Sequence, residues 1–288
     1  MRFLNFLIPV LLLVAGAAQA AVNDALPADY FPMAPGASTL AVYMVDRHSA
    51  GPYKQGQKLR EGKLNTQSSV LRVTHVVRMA GQPISLIGVL PWSHSAVGPA
   101  PLVQEASGWG DARFGATGWL LNNKDSGEFV GITGMLFLPT GNYTPNQVLN
   151  VGENRHKVTL NVGWIHPLSP SFVLEVLPEV AWFGDNTNYL GGRTLSQKSA
   201  YALTSYLRYR ATPNWQFHLG AQINRGGETR MNGVGQNNAP DNSRLMLGAT
   251  YLTDDKKSQW IVRFAQDTNI KNGFATESEF LLRYLKPF

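Results

Sequence analysis

Apolar and polar side chains alternate along much of this chain with a period of two residues. In the clearest stretch, WQFHLGAQIN, the residues Trp215, Phe217, Leu219, Ala221 and Ile223 share one face, and smaller or polar residues occupy the other. The same pattern recurs at 157–166, 171–182, 200–210, 259–264 and 280–288. Because successive side chains of a β-strand point to opposite faces, each stretch is predicted to be a strand.

Weaker alternation extends the predicted strands over the rest of the chain. It occurs at 39–48, 69–79, 83–92, 110–120, 129–138 and 244–252, which brings the total to about twelve. No sustained i, i+3, i+4 spacing predicts a helix, and no stretch has the composition of a domain linker. The sequence therefore predicts one all-β domain.

The alternation by itself fits a soluble β-sandwich as well as a barrel in a membrane. Strand length favours the barrel, since Trp182 follows Phe172 by ten residues and Tyr209 follows Tyr201 by eight. A tilted strand needs roughly 9–11 residues to cross a bilayer, whereas strands of soluble domains are usually about 5–6 residues long.

The links between the predicted strands alternate in length, which favours the same fold. Short links fall at Ala80–Gln82, Leu121–Glu128, Pro167–Ser171, Ala211–Asn214 and Asp254–Ser258. Longer links fall at 49–67, 93–108, 139–156, 184–199, 226–243 and 268–277. Short turns on one rim and long loops on the other are typical of outer-membrane barrels. We predict a transmembrane antiparallel β-barrel of about twelve strands, with the short links and both termini in the periplasm.

In this orientation the aromatic residues gather at two depths, as amphipathic rings do at the two interfaces of a membrane. The set predicted at the periplasmic interface is Trp164, Phe172, Tyr209, Trp215, Tyr251, Trp260 and Phe288. The set predicted at the outer interface is Trp92, Trp182 and Tyr201.

Residues 1–20 are predicted to be a secretory signal peptide. Arg2 precedes an apolar run, and Ala18-Gln19-Ala20 has the small-x-small pattern of a cleavage site, so cleavage is expected after Ala20. The mature chain is then predicted to comprise a periplasmic N-terminal segment over 21–35 and an outer-membrane barrel over 36–288. The proline-rich segment either folds into the lumen as a plug or extends into the periplasm, and the sequence favours neither interpretation.

The other chain end, FLLRYLKPF, reads as a lipid-facing strand. Phe280, Leu282, Tyr284 and Phe288 share its apolar face. This ending resembles the C-terminal signature of bacterial outer-membrane barrels, which implies recognition by the barrel-assembly machinery. Lys286 departs from that signature, and its long side chain is expected to reach the interface.

The composition of the chain limits the chemistry and the binding partners that can be expected of it. The chain has no cysteine, which excludes disulfides and thiol catalysis. Its formal net charge is +6, but the basic residues are scattered, so nucleic acid is not an expected partner. Outer-membrane lipid and lipopolysaccharide are the expected surroundings.

Two stretches, GWGDARFGATGWL (108–120) and MLFLPTGNYTPNQVLNVGENRHKVTLNVGW (135–164), resemble the outer-membrane family named for the meta-pathway of phenol degradation. The matching residues are Gly108, Gly110, Asp111, Pro139, Thr140, Gly141 and Gly152. The resemblance implies a barrel that passes aromatic or other hydrophobic compounds.

The motif residues have a plain physical interpretation as well. Pro139 ends a strand ladder because it lacks an N–H, and Gly141 permits a tight turn. Asp111 and Arg113 have the spacing of a local ion pair on the lumenal face. The motif therefore serves either as scaffold or as solute contact.

The face predicted to line the lumen carries charges of both signs. The candidate lining residues are Arg72, Arg78, Asp111, Arg113, Glu175, Glu179, Arg208, Arg210, His218, Arg263, Asp267, Glu279 and Arg283. These charges either pair across the lumen and fill it, or the arginine excess lines a path that attracts carboxylates.

We predict a passive outer-membrane channel of a Gram-negative bacterium for small hydrophobic or aromatic solutes. No cofactor is expected, and the six histidines are too dispersed for a metal site. The alternative is a closed structural or surface-interaction barrel. A lipid-modifying enzyme is the less favoured third hypothesis, because the adjacent His94 and Ser95 are expected in a loop, and strand neighbours point to opposite faces. No catalytic residue is predicted.

Overall fold

The computed structural model describes residues 25–98, 103–255 and 257–288. The predicted signal peptide and residues 21–24 lie outside the described residues. The described chain forms these strands: β1 (Ser38–Lys54), β2 (Gln57–Lys58), β3 (Lys63–Met79), β4 (Gln82–Gly98), β5 (Gln104–Trp109), β6 (Arg113–Asn123), β7 (Glu128–Phe137), β8 (Lys157–Pro167), β9 (Phe172–Phe183), β10 (Asn186–Tyr189), β11 (Arg193–Gln197), β12 (Ala200–Arg210), β13 (Trp215–Gly226), β14 (Thr229–Met231), β15 (Val234–Gly235), β16 (Asp241–Leu252), β17 (Gln259–Ile270) and β18 (Gly273–Pro287).

Twelve of these strands close into one antiparallel barrel. Their order around the wall is β1, β3, β4, β6, β7, β8, β9, β12, β13, β16, β17 and β18, and β18 then pairs with β1. At this seam Val45 lies opposite Leu281, and Phe288 N–H donates to the Ser38 carbonyl oxygen at 3.1 Å. The prediction of an all-β barrel of about twelve strands is confirmed. Among the described residues no helix is long and apolar enough to cross a bilayer.

The alternation along each strand separates an apolar outside from a mixed inside. On β13, Leu219 is 56% exposed, whereas its neighbour His218 is 2% exposed. The outward faces of the other long strands are likewise lined by large exposed apolar side chains. Because a period of two places neighbours on opposite faces, one sequence pattern supplies both a lipid-compatible surface and a lumenal lining.

Aromatic side chains form a continuous outer row near the end of the barrel where β1 begins and β18 ends. Trp215 is in register with Tyr251, Tyr251 with Trp260, and Trp260 with Tyr284, on four adjacent strands. The ring centroids of Trp215 and Tyr251 are 4.8 Å apart, and those of Trp260 and Tyr284 are 4.4 Å apart. The register thus brings aromatic residues of separate strands to one depth.

We call the end where β1 begins, β18 ends and the five short links lie the turn end, and the opposite end the loop end. The predicted long link at 268–277 is wrong, because β17 continues to Ile270 and β18 begins at Gly273. Gly273 adopts a positive φ of 102°, and Asp267 Oδ2 accepts the Thr276 N–H at 2.8 Å. These local features fold the predicted loop into a tight turn flanked by continuous strands.

The loops at the loop end have a core of their own. β10, β11, β14 and β15 form a separate small sheet there. Apolar side chains from these loops pack against the loop-end parts of β3, β4 and β18. The buried cluster comprises Leu64, Val97, Val148, Leu149, Tyr189, Leu195 and Phe274. The loops therefore cover the loop end of the lumen.

Candidate functional site: the barrel lumen

Residues 25–33 lie inside the barrel, bonded to several sides of its wall. Tyr206 OH on β12 donates to the Ala25 carbonyl oxygen at 3.2 Å, and Trp119 Nε1 on β6 donates to the Tyr30 carbonyl oxygen at 2.9 Å. Because these partners lie four strands apart around a closed wall, they fix the segment in the lumen.

The Tyr30 ring lies against two glycines of the lumenal wall. A Cβ built on Gly163 would lie 2.1 Å from this ring, and one on Gly131 would lie 2.6 Å from it. Tyr30 OH also bonds to the backbone oxygen and the side chain of Asn161. Since neither distance leaves room for a methyl group, the two glycines create the seat of the segment.

Asp29 joins the segment to two arginines of the wall. Its carboxylate accepts from Arg283 Nη1 at 2.5 Å and from Arg72 Nη1 at 3.2 Å. Arg72 Nη1 also donates to Tyr43 OH at 3.4 Å. Charge-assisted bonds of this kind are among the stronger contacts that a protein makes. We call this group the Asp29 clamp.

The segment divides the lumen into two cavities. The loop-end cavity has a volume of about 380 Å³, and the turn-end cavity has a volume of about 390 Å³. Asp29 and Arg72 line both. The Asp29 clamp therefore lies at the boundary between two spaces large enough for small organic molecules.

One side of the lumen carries a network of paired charges. Glu279 accepts from Arg47 Nε at 2.6 Å, from Arg263 Nη2 at 2.7 Å and from Arg244 Nη1 at 3.4 Å. Arg244 Nε also donates to Asp267 at 2.9 Å. The result is one continuous network across β1, β16, β17 and β18, in which three arginines face two carboxylates.

Further candidates lie on the neighbouring strands. Glu175 and Arg208 form a buried ion pair, and Glu175 also accepts the Ala28 N–H at 3.1 Å. Glu179 accepts from Asn161 Nδ2 at 3.1 Å. His218 is buried beside Tyr206 at 5.9 Å between ring centroids. Glu175 thus joins the wall to the segment inside the lumen, whereas His218 packs beside an aromatic ring.

The opposite side of the lumen is lined by hydroxyl and apolar groups. Ser68 and Ser93 share a hydrogen bond of 2.8 Å, Thr66 and Ser95 one of 3.1 Å, and Thr117 and Thr133 one of 2.7 Å. Ile87, Val89, Met135 and Phe137 line the same wall. These hydroxyls bond to one another in pairs, so they are satisfied within the wall.

Two expectations about pairs of residues, Asp111 with Arg113 and His94 with Ser95, are wrong. Asp111 does not pair with Arg113: its carboxylate accepts the backbone N–H groups of Gly141 and Glu153, each at 2.9 Å. The Arg113 guanidinium lies instead 4.8 Å from the centre of the Phe137 ring. The two backbone donors occupy both carboxylate oxygens, which leaves the guanidinium to the aromatic face.

His94 and Ser95, expected in a loop, belong to β4 instead. Their side chains point to opposite faces, and only Ser95 lines a cavity. Arg78 lies at the exposed turn end of β3, and Arg210 is half-buried at the turn end of β12. The candidates therefore divide between the interior of the lumen and its rim.

The motif residues converge on one compact junction at the loop end. Gly110 N–H donates to the Pro91 carbonyl oxygen at 2.8 Å, and Ala112 N–H donates to Thr140 Oγ1 at 3.0 Å. A Cβ on Gly141 would lie 2.8 Å from backbone atoms of Gly110 and Gly152. Gly108, with φ of 141°, faces Asn142 closely, and Pro139 follows the end of β7. These contacts fix the link before β6 to the loop after β7.

Several lumenal residues were not among the predicted candidates. They are Asp29, Tyr30, Arg47, Trp119, Tyr206 and Arg244. Arg47 and Arg244 lie on the inward face of the predicted strands 39–48 and 244–252, so the alternation within those strands could have found them. Asp29 and Tyr30 belong to no strand and carry no periodic signal, so their partners depend on the closed barrel.

Comparison with known proteins agrees with this architecture. The sequence profile of the family described as "Putative MetA-pathway of phenol degradation" matches residues 47–282. An outer membrane channel from Pseudomonas putida F1 is similar to this chain with a TM-score of 0.87 and 25% identity, over 92% of this chain and 100% of that one. No curated protein sequence matches significantly.

More distant structures share the fold. The transport unit of the autotransporter AIDA-I from Escherichia coli has a TM-score of 0.56 and 9% identity, over 97% of this chain and 98% of that one. A FadL homologue from Pseudomonas aeruginosa has a TM-score of 0.50 and 10% identity, over 96% and 97%. At these identities the likeness concerns the barrel.

Proposed function

Because this chain belongs to the family described for the MetA-pathway of phenol degradation, we propose that it is an outer-membrane channel through which small hydrophobic or aromatic solutes diffuse passively. The observation that carries the proposal is a closed barrel with an apolar outside and two lumenal cavities of about 380 and 390 Å³. The similarity to the Pseudomonas putida channel over nearly the whole chain supports the same function.

The path runs from the loop end to the turn end. A solute enters the loop-end cavity, where the hydroxyl and apolar wall faces the paired charges of Glu279 and Asp267. It then passes residues 25–33, which move aside or shift within the lumen. Passage needs no cofactor and no catalytic residue, since the gradient of the solute supplies the driving force.

The orientation in the membrane is part of the proposal. Both chain ends lie in the periplasm after removal of residues 1–20, and the loops face lipopolysaccharide outside. The exposed apolar face of β18, which includes Phe280 and is continued by Phe288 after the strand, serves as the assembly signal. Short turns inside and long loops outside are the usual arrangement of such barrels.

The test is conductance of the purified, refolded protein in a planar bilayer, together with swelling of vesicles in phenol. Folding is checked first by heat-modifiable mobility on a gel. Discrete conductance steps and phenol-dependent swelling support the channel. Folded protein that yields neither steps nor swelling would reject it.

A closed structural or surface-interaction barrel is the second candidate function. Residues 25–33 occupying the middle of the lumen favour it, as does the apolar cluster of the loops. Bilayer recording of a variant that lacks residues 21–35 separates the two candidates. A permanently closed barrel gives no conductance steps even in that variant.

A further inference from the structure

The turn-end cavity differs in charge from the rest of the lumen. Its titratable lining groups are Asp29, Arg72, Arg208, Arg210, Lys257 and Arg283, so five cations face one carboxylate. The loop-end cavity has the same number of cations but four carboxylates: Asp29, Asp111, Glu153 and Asp267. Glu175, which pairs with Arg208 behind the lining, still leaves the turn-end cavity with an excess of three positive charges.

Some buried donors of this cavity have no acceptor. Arg208 is 2% exposed, and its Nη1 donates to Gln216 Oε1 at 2.6 Å, whereas its Nη2 is buried without a hydrogen-bond partner. Arg283 Nε is buried without one as well. Buried donors are nearly always satisfied in folded proteins, so these guanidinium groups leave room for an additional acceptor, and an anion suits them best.

Of the other three cations, Arg72 is paired with Asp29, and Arg210 and Lys257 lie at the outer edge of the cavity. Arg210 is half-buried, and its Nη1 lies 3.5 Å from the Pro170 carbonyl oxygen. Lys257 is exposed in the link after β16. Neither takes part in a described ion pair, so both are available to attract an anion to the cavity.

The uncharged lining combines hydroxyl and amide side chains with an apolar and aromatic surface. Phe31, Met33, Trp119, Leu252 and Leu285 contribute to it. The Arg208 guanidinium lies 5.1 Å from the centre of the Phe31 ring, so the cationic and aromatic parts of the lining are adjacent. An inorganic anion would leave this apolar surface uncovered, and a neutral hydrocarbon would leave the buried donors without an acceptor.

We infer that the turn-end cavity is a binding site for an organic monocarboxylate with an apolar, aromatic body. Its carboxylate lies among Arg208, Arg210 and Arg283, and its body packs on Phe31 and Trp119. The cavity volume of about 390 Å³ suits a single-ring acid. This inference rests on the proposed function in one respect: it names the solute class that a passive path would hold before release.

Titration of the folded full-length protein tests the site by isothermal calorimetry in detergent. The ligands are benzoate, benzamide, which keeps the shape without the charge, and acetate, which keeps the charge without the ring. Benzoate is expected to bind saturably and roughly tenfold more tightly than either analogue. Equal binding of benzoate and benzamide would overturn the assignment, because the arginines would then contribute nothing.

A variant with Arg210→Gln and Lys257→Gln keeps the buried ion pairs and removes the two outer cations. Its affinity for benzoate is expected to fall roughly tenfold. The matched control is Lys124→Gln, an exposed lysine in a turn at the same end that does not line the cavity. Unchanged affinity in the double variant, or an equal loss in the control, would reject the site.

The binding experiment tests the site, and the conductance experiment tests the channel, so the two hypotheses can be rejected separately. Saturable benzoate binding by a protein that is silent in bilayers supports the site and rejects the channel. Conductance without selective benzoate binding supports the channel and rejects the site.

Discussion

Arg283 Nη1 donates to Asp29 Oδ1 at 2.5 Å, although the two residues are 254 positions apart in the chain. Arg283 belongs to the strand that closes the barrel, and Asp29 belongs to the segment inside it. The contact therefore ties the obstruction of the lumen to the seam of the wall. Arg72, on the other side of that seam, holds the same carboxylate at 3.2 Å.

Asp29→Asn is expected to release the segment and enlarge the conductance. The substitution leaves the buried Arg283 and the partly exposed Arg72 without a charge partner, which is expected to lower the free energy of unfolding by about 3 kcal/mol. Planar-bilayer recording gives the conductance, and urea unfolding followed by tryptophan fluorescence gives the stability. Asp125→Asn, in an exposed turn, is the control. Conductance equal to that of the unsubstituted protein would show that the segment does not obstruct the path.

Gly163→Ala tests the seat of Tyr30. A methyl group there would lie 2.1 Å from the Tyr30 ring, so the ring must leave its place. We expect higher conductance and a loss of about 1–3 kcal/mol in stability from overpacking. Gly134→Ala, whose Cβ meets nothing within 4 Å, is the matched control. Equal conductance of Gly163→Ala and Gly134→Ala would show that the seat of Tyr30 does not control the path.

Asp111→Asn is expected to loosen the motif junction. The amide keeps one acceptor oxygen, so one of the two backbone N–H groups of Gly141 and Glu153 loses its partner, at a cost of about 1–3 kcal/mol. Limited proteolysis within 138–156 measures the loosening, with Glu105→Gln on exposed β5 as the control. Equal cleavage rates for Asp111→Asn and Glu105→Gln would contradict a scaffolding role for the motif.

The stability of the loop after β7 is expected to depend on pH through Glu153. Burial favours a higher pKa, but Lys157 at 2.8 Å and Arg155 at 2.9 Å outweigh it and lower the pKa of Glu153 to about 2. An unfolded Glu has a pKa near 4.3. The stabilisation is therefore complete above that value and is lost as the pH falls toward about 2.

Urea unfolding at about pH 6 and about pH 3 checks this dependence, with a difference on the order of 1–2 kcal/mol expected from the single group. Glu153→Gln should reduce the difference between the two pH values by that amount. The same difference in the substituted protein would assign the pH dependence to other carboxylates.

Removal of Phe288 is expected to impair assembly in cells more than folding in vitro. Phe288 is 76% exposed, so its side chain adds little to packing, while its N–H bond to Ser38 closes the seam. Outer-membrane abundance and refolding yield, measured side by side with removal of the Lys286 side chain (Lys286→Ala), separate the two effects. Equal losses in both assays would place the role of Phe288 in folding alone.

Much of the fold follows from the sequence because a membrane barrel repeats one local rule. The alternation that sets Leu219 outward and His218 inward is a property of consecutive residues. Strand number and the short links follow from the same periodicity. The predicted long link at 268–277 failed because the continuation of a strand through polar residues depends on its neighbours, as with Asp267 and Thr276.

The partners within the lumen were decided by the tertiary structure alone. The sequence indicates that Glu279, Arg263 and Arg283 face inward, but closure of the wall determines that Glu279 meets Arg47 and that Arg283 meets Asp29. The segment over 25–33 has no periodicity, and its position follows from a space shaped by Gly131, Gly163 and Asn161 on distant strands. Local alternation thus fixes which face a side chain takes, whereas long-range register fixes what it touches.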